Sequence, residues 1–137
     1  MLKNLFPRLF GQFREGGIIH AKFVVTNAGT PSYALKSAVG TQNYQSLSLA
    51  RNGATGKCTL TLAGGCRALA VLDIKHLNIS APTDFTKQLL IGWTAAFVES
   101  GATVQFTLFQ SGIAGASGAA ADPVTGDEIH VTAYVDR

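Results

Sequence analysis

Seven stretches of this chain alternate apolar with polar residues or run in β-branched ones, and Gly, Pro, Asn or Asp bounds each of them. They are IIHAKFVVT (18–26), QSLSLAR (45–51), KCTLTLA (57–63), CRALAVLDIKHLNI (66–79), LLIGWTAAFVE (89–99), TVQFTLFQ (103–110) and EIHVTAYV (128–135). A period of two sends successive side chains to opposite faces of a strand, so one face can be buried while the other is wetted. In KCTLTLA the row for burial is Cys58, Leu60 and Leu62, with Thr59 and Thr61 on the other face. The corresponding rows are Val104, Phe106 and Leu108 in TVQFTLFQ, and Ile129, Val131, Ala133 and Val135 in EIHVTAYV. The pattern predicts an all-β chain, an antiparallel β-sandwich or barrel of about seven to eight short strands.

Ahead of these runs the period is different. Leu2, Leu5, Phe6, Leu9, Phe10 and Phe13 recur at helical spacing, which predicts a short amphipathic helix or arm, with Pro7 in its first turn and Gly16-Gly17 at its end. The chain therefore divides into an arm over 1–17 and one β-domain over 18–137. The arm is too short to span a bilayer and lacks the apolar core and cleavage site of a signal peptide. Three uses suit it: a targeting or membrane-surface helix, packing on its own domain, or docking into a partner assembly. Docking is the reading preferred here, through Leu2, Leu5, Phe6, Leu9, Phe10 and Phe13, flanked by Arg8 and Arg14.

Composition narrows the classes of function. Charged residues make up 14% of the 137, against about 25% in an ordinary domain. A surface so poor in charge is expected to be covered by copies of the chain or by another protein. The net charge of +3 is polarised: Lys3, Arg8, Arg14 and Lys22 oppose Glu15 at one end, and Asp122, Asp127, Glu128 and Asp136 oppose Arg137 at the other. A basic head and an acidic tail favour polar contacts between proteins and do not form a nucleic-acid stripe. Cys58 and Cys66 are expected to be free core thiols, with no second Cys/His pair to complete a zinc site.

Candidate chemistry is sparse. RNGATGKC (51–58) superficially suggests a phosphate-binding loop, but only two residues separate Gly53 from Gly56, Cys58 stands where a hydroxyl is needed, and a strand follows instead of a helix. It reads as a hairpin turn on Asn52-Gly53 and Gly56, with Lys57 facing solvent. His20, His76 and His130 all fall within strand-like runs, and no nucleophile elbow accompanies them. A hydrolase using His76 or His130 beside a carboxylate is the enzymatic alternative. ADPVTGDE (121–128) gathers Asp122, Asp127 and Glu128, yet its spacing is not that of a calcium loop, and it reads as a turn from Asp122-Pro123 to Gly126-Asp127. Trp93, Phe97, Phe106 and Phe109 form either a sugar platform or core. SGIAGASGAAAD (111–122) is expected to be a long mobile loop or an inter-subunit contact. No catalytic, metal or cofactor site is assigned.

Two segments carry a resemblance. SLSLARNGATGKCTLTL (46–62) resembles a strand, Thr-Gly turn and strand unit of small bacteriophage virion β-sandwich proteins, with Cys58 standing where that unit has Tyr. TVQFTLFQSGIAGASGAAADPVTGDEIHVTAYV (103–135) resembles their closing strands, joined through a Gly/Ala loop and an Asp-Pro turn. The resemblance implies a non-enzymatic structural protein located in the virion. Such a protein is a capsid decoration, cement or head-fibre component, a homo-oligomer with trimers favoured, attached to the major capsid protein or another virion component. A tail-fibre, spike or other tail-attached component is the alternative, followed by a carbohydrate-binding module.

Overall fold

The computed structural model describes residues 16–27, 29–40, 47–95, 97–110 and 118–136. The expected N-terminal helix, and with it Leu2, Leu5, Phe6, Arg8, Leu9, Phe10, Phe13 and Arg14, lies outside the described residues. What is described is an all-β antiparallel sandwich. Its strands are β1 (Gly16–Val25), β2 (Tyr33–Gly40), β3 (Leu47–Arg51), β4 (Lys57–Leu77), β5 (Leu89–Ala95), β6 (Phe97–Gln110) and β7 (Glu128–Asp136), with one 3-10 turn at Phe85–Lys87. Gly16 and Gly17 open β1, opposite Asp136 and Val135, where the sequence pattern made them the end of a helix.

All strands belong to one hydrogen-bonded network, in the order β2-β1-β7-β4-β6-β5 with β3 on β4. Two layers arise because β4 and β6 fold over together. Ala95 lies opposite Gln105, while Phe97, two residues on, lies opposite Ala70. Eight extended steps from Phe97 to Gln105 would cover roughly 27 Å, whereas Ala95 and Phe97 are at most about 7 Å apart. β6 therefore doubles back, and β4 turns with it through the register shift between Thr61 and Cys66, which holds Gly64 and Gly65 and ends where Cys66 pairs with Gly101. Strands that switch sheets at a bend make the corners of such sandwiches. One layer is β2, β1, β7, the C-terminal half of β4 and the N-terminal end of β6; the other is β3, the N-terminal half of β4, the rest of β6 and β5.

The inward rows meet in one core. Cys58, Leu60, Leu62, Val104, Phe106 and Leu108 from the second layer pack with Ile19, Phe23, Ile129, Val131, Ala133 and Val135 from the first. Burying a Phe or Leu side chain contributes roughly 1.5–3 kcal/mol, so this cluster supplies most of the drive to fold. All three rows expected for burial are buried as expected.

Element boundaries depart from the expectation in four places. β2 was not foreseen: YALKSAVG has a weak period, and its last five residues are exposed because it is an edge strand hydrogen-bonded to β1 alone. The runs at 57–63 and 66–79 are one strand, which bends at Gly64-Gly65 through a register shift and pairs with β6 on either side of it. Ser100 to Ala102, expected as a turn, continues β6 for the same reason, and the run expected as one strand over 89–99 is divided between β5 and β6. Of the Gly/Ala segment expected over 111–122, residues 111–117 lie outside the described residues, and 119–121 run along β6, with Ala120 bridging to Phe109 and Ala121 N–H donating to Leu108 O at 2.9 Å. Among the described residues no helix is long and apolar enough to cross a membrane.

Candidate functional site

The turn between β3 and β4 does capture an anion, and the anion belongs to the chain itself. Gly53 and Gly56 take φ of 69° and 73°, which only glycine adopts without strain, and the tight loop turns Gly56 N–H towards Asp122. That N–H donates to Asp122 Oδ1 at 2.7 Å, while Arg51 Nε donates to both oxygens of Asp122 at 3.0 Å. Arg51 also reaches Gly53 O and Thr55 Oγ1, binding the turn around itself. Lys57 is exposed, as the hairpin reading required. Beneath the turn Cys58 Sγ lies 3.4 Å from Tyr33 Oη, and burial pushes its thiol up to about 11. Burial likewise raises Tyr33 above the ordinary phenol range.

Asp122, Asp127 and Glu128, close in sequence, diverge to three different places. The turn at Val124–Asp127, with Gly126 at φ 94°, aims Asp127 inward. There it accepts from His76 Nε2 at 2.8 Å, Ser80 Oγ at 2.8 Å, and the N–H groups of Ser80 and Val124 at 3.2 Å each. His76 Nδ1 accepts from Leu89 N–H at 3.1 Å, so the proton sits on Nε2 and the ring is neutral. Burial holds His76 below its usual pKa. Burial pushes Asp127 upward, but the hydrogen bonds from Ser80, His76 and Val124 outweigh it and hold the carboxyl below the usual range. Both ring nitrogens of His76 are thus engaged, and Ser80 donates to the carboxylate instead of to the imidazole. The group joins β4, β5 and two loops in the interior.

Glu128 points outward from β7. It accepts from His130 Nε2 at 2.8 Å and Lys36 Nζ at 3.1 Å, with Lys22 Nζ 3.6 Å away. The His130 hydrogen bond, with the two lysines, lowers its carboxyl to about 2. Beside it His20 Nδ1 lies 3.0 Å from Thr132 Oγ1, so the polar groups on this outer face satisfy one another. No set of three or more His, Cys, Asp or Glu side chains is arranged to hold a metal ion among the described residues.

At the other end of that face the surface is apolar. Ile18 and Tyr134 are cross-strand partners on β1 and β7, Val39 flanks them on β2, and Leu72 stands out from the β4 bulge. All four are exposed, Val39 at 69% and Leu72 at 56%. A cleft of about 420 Å³ runs along the seam between the C-terminal half of β4 and β5, bridged by Gln88 Nε2, which donates to His76 O. Of the aromatic set, Phe106 is core, Phe109 is half-buried, and Trp93 is partly exposed at the layer edge, with its ring 6.1 Å from Phe106 in an edge-to-face pair. The side chains of Phe97 and Cys66 are not among those described. Periodicity did not signal Arg51–Asp122 or His76–Asp127, because 71 and 51 residues separate the partners.

Comparison with known protein families, with other proteins and with solved structures finds no match to this chain.

Proposed function

We propose that this chain is a non-enzymatic structural protein of a bacteriophage virion, a capsid decoration or cement protein. It self-associates, with a trimer as the favoured state, and grips the shell through residues 1–17. The observation that carries this reading is the exposed apolar group Ile18, Tyr134, Val39 and Leu72 on the face where the N-terminal segment joins β1. Exposed apolar residues grouped on one face mark protein contacts. Residues 1–15 enter the fold three positions before Ile18, so an apolar arm and this patch would form one continuous docking surface. The two segments that resemble virion proteins support it further, since they supply the β3–β4 hairpin and the closing strands β6 and β7.

Deletion of residues 2–14 tests the anchor. The truncated domain is expected to lose co-sedimentation with capsids, and undiminished binding rejects the arm as the grip. Copy number by mass spectrometry of purified particles tests the location: many copies fit a shell component, whereas a few copies at the tail favour a fibre or spike.

A further inference from the structure

The two outer faces of the sandwich differ in how their polar groups are used. On the first layer the charged and imidazole groups pair with each other, as Glu128, His130, Lys36 and Lys22 do. On the second layer Ser48, Thr61 and Thr103 form one cross-strand row, Thr59 and Gln105 are paired in the next, and Thr107 lies opposite Lys57 in a third. Among the described residues these six Ser, Thr and Gln side chains make no hydrogen bond to protein. Lys57, at the rim, is the single charge on this face among the described residues. Apolar surface adjoins the rows. Leu90 is exposed, and Phe109 lies over Gly92 so closely that a Cβ there would sit 2.3 Å from Phe109 Cε2.

We propose that this face binds a neutral oligosaccharide. Hydroxyl and amide groups both donate and accept, which matches the mixed hydroxyls around a sugar ring, and the Leu90–Phe109 strip offers an apolar surface to its C–H face. An ionic ligand finds little here to pair with. Size favours a small ligand: four strands span about 14 Å and Thr103 to Phe109 about 20 Å, an outline of about 300 Å² in projection. A stable protein pair buries about 800 Å² on each partner. The inference does not depend on the virion reading.

Calorimetric titration of the full chain with neutral glucan and mannan tetrasaccharides, beside their sulfated counterparts, tests it. A neutral tetrasaccharide is expected to bind, and the double variant Thr59→Val with Gln105→Ala to weaken that binding roughly tenfold or more, as loss of two hydrogen bonds predicts. Thermal unfolding of the variant is expected to match the parent, since both side chains lie on the outer surface. Binding of sulfated sugars only, binding that survives the double variant, or no binding at all overturns the proposal. So does self-association in sedimentation that the same variant abolishes, because the face would then belong to a second copy.

Discussion

His76 Nε2 donates to Asp127 Oδ2 at 2.8 Å inside the sandwich, while Leu89 N–H holds the other ring nitrogen. A neutral imidazole paired with a carboxylate in this way ties stability to pH. The His76 pKa is lowered on folding, so the unfolded chain takes up the proton first as pH falls. Its stabilising contribution is complete above about pH 6.5 and is lost as pH drops through that value towards the folded pKa. Urea midpoints are expected to fall between pH 7.5 and pH 5 in the parent and to stay flatter in His76→Gln. A parent midpoint that does not move over this range would contradict the neutral-ring assignment.

Glu128 governs a second, more acidic window. With the folded carboxyl at about 2, against an ordinary value near 4.5, stability present above pH 4.5 is lost as pH falls towards 2. Replacement Glu128→Gln is expected to flatten that part of the acid-unfolding curve. Titration of the Glu128 carboxyl by NMR checks the cause directly, and an unshifted titration near 4.5 rejects it.

Gly53 and Gly56 both need positive φ, but only Gly56 is enclosed. A Cβ on Gly56 would sit 2.5 Å from Leu108 O and 3.0 Å from Ala121 N, whereas one on Gly53 meets nothing within 4 Å. Gly53→Ala is expected to cost about 1 kcal/mol from backbone strain, and Gly56→Ala about 2 kcal/mol or more. Equal losses in denaturant melts would remove the enclosure argument.

Cys58 is expected to be inert in the native state. Its thiol is buried and raised to about 11, so thiolate is scarce at neutral pH. In a Cys66→Ser background, an aromatic disulfide reagent is expected to label Cys58 at the rate of unfolding. Rapid labelling of the folded protein would show that Cys58 is accessible. Stability tied to this protonated thiol persists below about pH 9 and is lost as pH rises towards 11.

Period-two alternation placed Cys58, Leu60, Leu62, Val104, Phe106, Leu108 and the four β7 residues in the core, because each row needs only its own strand to be recognised. It missed β2, whose Ser37–Gly40 end is exposed on both faces of an edge and so carries no burial signal. The glycine turn was legible as a turn but not as a seat for Asp122, since Gly56 and Asp122 meet only when β3–β4 and the segment before β7 are folded together.

Local chemistry in the sequence thus determined the strand character, the turns and the inward rows: backbone sterics and side-chain alternation act over two to four residues. Tertiary structure alone decided that β4 and β6 fold across both layers, and that neighbouring carboxylates point to Arg51, His76 and the Lys36–His130 pair. It also decided that the polar groups of one outer face pair with one another, whereas among the described residues Ser48, Thr59, Thr61, Thr103, Gln105 and Thr107 on the other make no side-chain hydrogen bond. Such pairings join residues tens of positions apart, and their partners are chosen only when the core closes and each buried or crowded polar group must find one.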